Sequence, residues 1–251
     1  MNVQNKNNNI KNSEIWDKKA KSYSKFDGNL NEFQIRFFKI LKDFDVSFKD
    51  KTLVDIGCGT GIYSLYLAGI CKMVLGVDSS TKMLEELNLK KAEFKINNLQ
   101  TINSDFKNFQ TADKFDIAFL TMSPALQNED DFNKFMDLGN LRIYLNWEEP
   151  KNSSMLDPFY KIYKRNDKNT NTASNLQNFL IKNNISYKTE VLREIRSANR
   201  SLNEAFENTI WHLEINGIKY DEGEIKNTLL KMQKDGFIED VIKSKMRVLV
   251  F

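Results

Sequence analysis

A glycine-rich run directly after a short apolar segment constrains the fold of this chain more than any other feature. Residues 54–61 read Val-Asp-Ile-Gly-Cys-Gly-Thr-Gly. The overlapping segment Thr52–Ile56 predicts a buried strand, and Gly61–Gly69 predicts a helix after the turn. Glycine is needed where a chain turns tightly and where a ligand approaches the backbone without a Cβ atom in the way. The run therefore predicts a ligand-binding turn at the carboxyl end of a strand, where open α/β sheets bind their ligands.

Apolar runs alternate with helical patterns beyond this turn. Further strands are predicted at Met73–Val77, Leu99–Ile102, Phe115–Leu120 and Leu141–Asn146, and helices at Ser80–Lys91 and Asp130–Leu138. These strands show little polar alternation, which is typical of a parallel sheet that helices cover on both faces. The pattern predicts a doubly wound, Rossmann-like α/β core.

Two helices are predicted before this core and a less regular region after it. Ser13–Phe26 and Leu30–Asp43 carry apolar residues at helical spacing, and we interpret 13–45 as an N-terminal helical cap. Met1–Asn12 is rich in asparagine and lacks the apolar run of a signal peptide, so a disordered polar leader is expected there. After the core, the predicted elements are a helix at Ala173–Asn183, a strand at Lys188–Ile195, helices at Leu202–Ile215 and Glu222–Lys234, and a last strand at Met246–Phe251.

The last two helices lie between the last two strands of the chain. If those strands close the sheet, the segment of about 200–240 is a helical insertion, which we interpret as a lid near the active-site end. The rest of the 251-residue chain fits an elaborated α/β fold, so 13–251 is expected to form a single domain.

Composition excludes several classes of protein. Hydrophobic residues make up 41% of the chain and charged residues 28%, which suits a sizeable core and a soluble surface. The net charge of +3 is too small for a dedicated nucleic-acid binder, and we interpret the lysine clusters at Lys18–Lys21 and Lys161–Lys168 as solvated faces or loops. Two cysteines and one histidine supply neither a zinc site nor a disulfide framework, so no metal and a cytoplasmic location are expected. No segment has the ~20 apolar residues of a membrane span.

Three acidic residues follow the predicted strands in a nucleotide-binding arrangement. Asp55 precedes the first glycine by two residues, where a carboxylate attracts a cationic amino group. Asp78 ends the next strand, about where an acid binds ribose hydroxyls in nucleotide folds. Asp105 and Phe106 follow the third strand, and they offer an acceptor for an adenine amine and an apolar ring for its face.

A nicotinamide dehydrogenase would share this architecture. Its Gly-x-Gly-x-x-Gly fingerprint requires the third glycine, or an alanine, at the position of Ile62, whereas this chain places it at Gly61. A turn that binds pyrophosphate would also gain nothing from the carboxylate of Asp55. S-adenosylmethionine has an amino group and no phosphate, so the turn favours that cofactor over a dinucleotide.

Four motifs and an early helix together resemble the class I S-adenosylmethionine-dependent methyltransferases. The motifs are Asp55–Gly61, Gly76-Val-Asp78-Ser-Ser, Asn103-Ser-Asp105-Phe and Lys114-Phe-Asp-Ile-Ala-Phe119, and the helix contains Trp16-Asp17, Ala20 and Tyr23. The resemblance covers about Trp16–Trp147. It implies a seven-stranded sheet that is mostly parallel, with an antiparallel last strand.

The resemblance also implies roles for residues of the cofactor site. Gly57, Gly59 and Gly61 would contact the methionine portion, Asp78 the ribose, and Asp105 and Phe106 the adenine, with Met83 on the other side of the ring. The full set expected around the cofactor is Tyr23, Asp55, Gly57, Cys58, Gly59, Gly61, Asp78, Ser79, Met83, Asp105, Phe106 and Thr121. Cys58 is interpreted as a small packing residue of the turn rather than a nucleophile, since nothing near it in sequence would activate a thiol.

The sequence identifies the methyl acceptor far less well. Methyl transfer from a sulfonium depends mainly on holding acceptor and methyl in line, and a general base is needed only if the acceptor must lose a proton. His212 and Tyr23 are weak candidates for such a base, and a packing role for His212 is favoured. The aromatic residues considered for an acceptor pocket are Tyr144, Trp147, Tyr160 and Trp211.

We interpret the chain as a methyltransferase of small molecules, with a general resemblance to enzymes that methylate quinones and metabolites. Ser123-Pro124 resembles the start of the motif of enzymes that methylate amino groups of nucleic acids, but Ala125 and Leu126 depart from that motif. Methylation of tRNA or rRNA is therefore a disfavoured alternative, and a non-catalytic cofactor-binding protein is a lesser one. No membrane partner is expected, and the sequence does not determine the oligomeric state.

Overall fold

The computed structural model describes residues 13–165 and 172–251, which form two compact units. The first unit comprises the described residues of Met1–Glu148, Asn171–Leu192 and Met246–Phe251. The second comprises those of Glu149–Thr170 and Arg193–Lys245. The predicted polar leader, Met1–Asn12, lies outside the described residues.

The first unit contains a mostly parallel sheet. Its strands are β1 (Thr52–Ile56), β2 (Met73–Asp78), β3 (Leu99–Asn103), β4 (Phe115–Thr121), β5 (Gly139–Trp147) and the parts of β7 (Lys188–Arg200) and β8 (Ile238–Val250) that lie outside 193–245. The strand order is β3-β2-β1-β4-β5-β8. Neighbours from β3 to β5 pair in parallel, whereas β8 pairs with β5 antiparallel, with Tyr144 opposite Leu249. The predicted doubly wound sheet with an antiparallel last strand is confirmed.

Both faces of this sheet are buried, which explains why its strands lack polar alternation. Leu53 and Phe119 belong to one core cluster, whereas the alternate residues Val54 and Leu120 belong to a second cluster. Successive side chains of a strand point to opposite faces, so the two clusters are the two sides of one sheet. The helices of this unit are α2 (Glu32–Asp43), α3 (Ile62–Ala68), α4 (Thr81–Glu93), α5 (Glu129–Leu138) and α7 (Thr172–Lys182).

Local sequence signals set several boundaries of these elements. Asn31 begins α2 with a reciprocal capping box to Gln34, and Ser80 begins α4 by accepting the N–H of Met83. Near the start of β4, the Asp116 carboxylate accepts both the N–H and the hydroxyl of Thr52, so it fastens β4 to β1.

The N-terminal helix is shorter than predicted. Residues 13–19 form helix α1, which ends in a 3-10 turn at Ala20–Ser22, whereas the sequence pattern predicted a helix to Phe26. Tyr23 has an extended backbone, and the carbonyl of Ser24 accepts the hydroxyl of Thr60 at 2.6 Å. This tertiary contact competes with helical bonding of the Ser24 carbonyl.

The second unit has a separate core and elements that the sequence analysis did not predict. Its helices are α6 (Asp157–Ile162), α8 (Leu202–Ile215) and α9 (Glu222–Met232), and a short strand β6 (Asn152–Ser153) pairs antiparallel with β8. The buried core residues are Met155, Leu156, Phe159, Ala205, Leu213, Ile225, Leu229 and Ile238. The predicted helices at about 200–240 are present, and their function as a lid stays a prediction.

Two expectations about the strands of the C-terminal half need correction. The seven predicted strands are joined by an eighth, β6, which is too short to carry a periodic signal. Strand β8 begins at Ile238 rather than Met246. The sequence prediction missed the first half of the strand because polar residues alternate there with buried ones. Part of the Lys161–Lys168 cluster lies on α6, and residues 166–168 fall outside the described residues.

Of the helices in the part of the chain that the structure describes, none has both the length and the apolar character needed to cross a membrane.

Gly139 tests the close pairing of β4 and β5. A Cβ atom at this position would lie 2.5 Å from the backbone N of Ala118. Because backbone must move to relieve that overlap, Gly139→Ala should lower the free energy of unfolding by about 3 kcal/mol. Urea unfolding followed by circular dichroism measures the change. Gly69→Ala is the control, since the nearest atom there is the Tyr66 carbonyl oxygen at 3.3 Å, and equal stability of the two variants would contradict the packing account.

Candidate active site

The glycine turn between β1 and α3 is fastened to the neighbouring strand. The N–H groups of Gly57 and Cys58 donate to the carbonyl of Val77 at 2.7 and 3.1 Å. A Cβ atom on Gly57 would lie 2.1 Å from Oγ of Ser123, so this glycine is required by the close approach of the chain after β4. At Gly59, with φ of +56°, a Cβ atom would meet nothing within 4 Å. The turn therefore presents open space at Gly59.

Gly61 and Cys58 serve packing around the same turn. A Cβ atom on Gly61 would lie 2.5 Å from Cγ of Leu87, and Sγ of Cys58 lies 3.0 Å from where a Cβ atom of Gly76 would be. Burial beside Asp78 and Asp55 raises the pKa of the Cys58 thiol well above its ordinary value. Both observations agree with a packing role for Cys58.

Asp78 joins the turn to the start of α4. One carboxylate oxygen, Oδ2, accepts the N–H of Gly59 at 2.8 Å, and Oδ1 accepts the N–H of Ser80 at 2.8 Å. Burial raises the pKa of Asp78, and the hydrogen bonds from Ser80 and Gly59 offset part of that shift. A carboxylate has about four acceptor sites, so Asp78 keeps acceptor capacity for ribose hydroxyls. Ser79 follows Asp78 directly in the chain.

Asp55 is a buried carboxylate with one oxygen unused. Its side chain is 2% exposed, and Oδ2 accepts the hydroxyl of Ser64 on α3 at 2.5 Å. No hydrogen-bond partner for Oδ1 exists within residues 13–165 and 172–251. Burial raises the pKa of Asp55 to about 7, while the Ser64 hydrogen bond lowers it and the charge of Asp78 raises it further. An unpaired buried carboxylate oxygen is costly, so this site suits a cationic group.

The N-terminal segment borders the turn. The Asp17 carboxylate accepts the hydroxyl of Ser80 at 2.6 Å and the N–H of Lys82 at 3.0 Å, so α1 is held at the start of α4. Ser24, whose carbonyl binds Thr60 of the turn, follows Tyr23 directly. This places the backbone of Tyr23 near the glycine turn, and its contact with a cofactor stays a prediction.

The loop after β3 is held by a lysine of α5. Nζ of Lys134 donates to the carbonyls of Phe106 and Lys107 at 2.7 and 2.9 Å. Asp105 accepts the backbone and side-chain N–H groups of Asn108 at 2.8 and 2.7 Å. The ring of Phe106 is only 6% exposed and belongs to the second core cluster. Phe106 therefore packs within the unit. The sequence analysis instead expected its ring to present an open face to the adenine.

Met83 and Thr121 are buried as well. Met83 is 2% exposed on α4, and Thr121 is 8% exposed at the carboxyl end of β4. The next residue, Met122, has a φ of +51°, a left-handed conformation that is uncommon for a residue other than glycine. Such conformations concentrate at functional sites, and this one turns the chain so that Ser123 meets the glycine turn.

Two of the residues expected at an acceptor pocket, Tyr144 and Trp147, belong to the first unit and pack on opposite faces of its sheet. Tyr144 is fully buried in the second core cluster, and its hydroxyl contacts Nδ2 of Asn146. Trp147 packs partly buried against the first cluster, and its Nε1 is buried with no hydrogen-bond partner in the described part of the chain. Tyr144 is thus core, and only Trp147 of this pair stays a candidate for the pocket.

The remaining candidates belong to the second unit. The ring of Tyr160 is covered by the guanidinium of Arg165 at 3.9 Å. Trp211 and His212 lie on α8 with their rings 4.7 Å apart, edge to face, and both are half-buried. The roles of these residues toward an acceptor stay predictions.

Sequence reasoning missed several residues of the site. Ser64 donates to the carboxylate of Asp55, and Lys134 donates to the carbonyl of Phe106. Asp17, which the sequence analysis gave only as part of the early helix, accepts the N–H of Lys82 in the first turn of α4. Asn146 donates to the carbonyl of Ser123 at 2.9 Å and so supports the strained turn after β4. The residue type was visible in each case, but no local pattern indicates which distant backbone group it reaches. Nowhere in the two described segments do three or more metal-ligating side chains cluster.

The sequence shows similarity to characterised methyltransferases over part of its length. Residues 53–138 match a family model described as a methyltransferase domain. The chain is 38% identical over 77 residues to a ubiquinone biosynthesis O-methyltransferase of Pelagibacter ubique, in an alignment that covers 27% of this chain and 32% of that relative. The chain thus spans about a third of the length of this curated relative.

Solved structures resemble the fold over most of the chain. The YcgJ protein of Bacillus subtilis superposes with a TM-score of 0.54 at 14% identity, covering 86% of this chain and 98% of that one. A complex of DhpI with S-adenosylhomocysteine superposes with a TM-score of 0.50 at 11% identity, covering 93% and 95%. Residues 53–138 therefore resemble a methyltransferase domain, and the fold of the chain is that of these solved structures, one of which is a complex with S-adenosylhomocysteine.

Proposed function

We propose that the chain binds S-adenosylmethionine at the glycine turn and transfers its methyl group to a small-molecule acceptor. The observation that carries the proposal is the pairing of an unused, fully buried oxygen of Asp55 with the open space at Gly59. A cationic amino group offsets the cost of the first feature, and a ligand in van der Waals contact with the backbone makes use of the second. Nothing in this pairing suits a pyrophosphate.

The chain's own residues have separate tasks in this proposal. Asp55 holds the amino group of the methionine portion, Asp78 accepts the ribose hydroxyls, and the loop at Asp105, which Lys134 holds, takes the adenine. When bound, the cofactor supplies a methyl group on a sulfonium, which an acceptor takes by direct displacement. The protein contributes chiefly by orienting the two reactants, which accounts for large rate gains without a catalytic dyad.

A small-molecule acceptor is favoured over an amino group of a nucleic acid. An amino group held for methylation needs acceptors for its N–H bonds, and in the resembling motif these would lie at Ser123 and Pro124. Here each carbonyl already accepts one hydrogen bond, the Ser123 carbonyl from Nδ2 of Asn146 and the Pro124 carbonyl from Nε2 of Gln127, so each has one acceptor site left rather than two. The quinone-type acceptor in the name of the Pelagibacter relative supports the same choice.

A general base stays a hypothesis for Tyr23 and His212. The backbone of Tyr23 lies beside the glycine turn, and its ring meets that of Trp16 edge to face at a centroid distance of 6.0 Å. His212 is half-buried on α8 beside Trp211. A phenolic acceptor would need one of these groups, whereas an amine that is neutral in the site would need neither.

Calorimetry with S-adenosylhomocysteine and NAD tests the choice of cofactor. We expect binding of S-adenosylhomocysteine and no heat with NAD, because the turn offers a carboxylate where a dinucleotide carries phosphate. The acceptor class is then tested by incubating the protein and labelled S-adenosylmethionine with phenolic and amine metabolites or with bulk tRNA and rRNA. NAD binding without a response to S-adenosylhomocysteine contradicts the proposal, and labelled RNA alone contradicts the acceptor class.

Asp78→Ala tests the ribose contact. Loss of a carboxylate that accepts ligand hydroxyls should weaken S-adenosylhomocysteine binding by roughly 1–3 kcal/mol, which is about 5- to 150-fold. Asp137→Ala removes an exposed carboxylate of the same unit and should leave the affinity within about twofold. Unchanged affinity of Asp78→Ala, in a protein that stays folded by circular dichroism, would remove Asp78 from the site.

Gly59→Asn tests whether the open space at the turn is where the ligand lies. Asparagine tolerates a left-handed backbone better than most residues, so the variant should fold. Its side chain would fill the space, and we expect at least a tenfold loss of S-adenosylhomocysteine affinity with a small change in Tm. Gly57→Ala should instead cause a large loss of stability, because a Cβ atom at this position would overlap with Ser123. Wild-type affinity in Gly59→Asn would show that the ligand lies elsewhere.

A further inference from the structure

Ser64 is buried, lies outside the glycine motif and contacts the central acid of the site. It lies on α3 with no exposed surface, and its hydroxyl donates to Oδ2 of Asp55 at 2.5 Å. Asp55 sits on β1, so the contact links the strand before the turn with the helix after it. Because Ser64 occupies Oδ2, the unused acceptor of the carboxylate is Oδ1.

We propose that Ser64 is a positioning residue that fixes the Asp55 carboxylate, keeps Oδ1 available for the amino group of the cofactor, and sets the pH range in which the cofactor binds. A hydroxyl on one carboxylate oxygen restricts rotation of the carboxyl group. It also favours the ionised form, since a hydrogen bond to a charged acceptor stabilises the charge. This role rests on the proposed function, because it concerns the ligand that Asp55 holds.

Among the other titratable groups around Asp55, Asp78 acts in the opposite direction. Asp78, at the end of β2, disfavours the charged form of Asp55, whereas Cys58, on the turn, stays an uncharged thiol because its own pKa is raised well above the ordinary value. Burial also disfavours the charged form, and the pKa of Asp55 lies at about 7 as a result. Ser64 is therefore the neighbour whose hydrogen bond favours the ionised carboxylate and lowers the pKa of Asp55.

The affinity for the cofactor should depend on pH through the charge of Asp55. A cationic amino group binds the ionised carboxylate, so affinity should rise as the pH rises through the pKa of Asp55. Without the hydroxyl that pKa is higher, and the rise should move to higher pH. The ligand's own amino group titrates identically in every variant, so it cancels from the ratio of dissociation constants.

The test compares Ser64→Ala with the wild type by two measurements. First, carboxyl ¹³C NMR of the ligand-free proteins should place the titration of Asp55 about one pH unit higher in Ser64→Ala. Second, the ratio of their dissociation constants for S-adenosylhomocysteine should be about tenfold at about pH 6 and under about twofold at about pH 8.5. Tyr66→Phe removes another hydroxyl from α3 and should leave both measurements unchanged.

The outcomes that would contradict the role of Ser64 differ from the outcome that would contradict the proposed function. A ratio that is the same at every pH, or an unshifted titration of Asp55, would show that Ser64 only packs and would overturn the proposal. Failure of the wild type to bind S-adenosylhomocysteine would overturn the proposed function and the positioning role with it, while NMR still measures the contact itself. If Ser64→Ala does not fold, Ser64→Cys replaces it, and its weaker donor should give an intermediate shift in both measurements.

Discussion

The hydrogen bonds from Gly57 and Cys58 to the carbonyl of Val77 determine the arrangement of the whole site. They fasten the turn after β1 to the end of β2, at 2.7 and 3.1 Å, in a register that pairs Asp55 with Gly76. That register brings the acids of two strands to one edge of the sheet. Asp78 then closes the connection by accepting the N–H of Gly59. Without this tie neither the open face of the turn nor the position of the acids would be defined.

The arrangement has an energetic cost in the protein without its cofactor. Burial raises the pKa of Asp55 to about 7 and also raises that of Asp78. A folded-state pKa above the unfolded value means that Asp55 contributes most stability below about pH 4, and that this contribution is lost as the pH rises through about 7. At neutral pH the site thus carries charge that a cationic ligand offsets. Functional sites commonly sacrifice stability in this way.

Particular residues show what the sequence could predict. The strand-turn-helix at Thr52–Ala68 followed from apolar runs and glycine spacing, because local patterns encode it. The antiparallel pairing of β8 was implied only by the resemblance to class I methyltransferases. The burial of Phe106 and Tyr144 did not follow, since an aromatic residue beside a site packs inward or outward according to distant helices. Ser64 and Lys134 were missed for the same reason: their partners lie on other elements.

Asp55 is the proposed anionic partner of the cofactor's amino group. A crystal structure with bound S-adenosylhomocysteine tests it most directly. We predict that the amino nitrogen lies within hydrogen-bond reach of Asp55 Oδ1, directly or through one water, while Ser64 keeps its contact with Oδ2. A ligand bound with its amino group remote from Asp55, and with Oδ1 still unpaired, would contradict the claim.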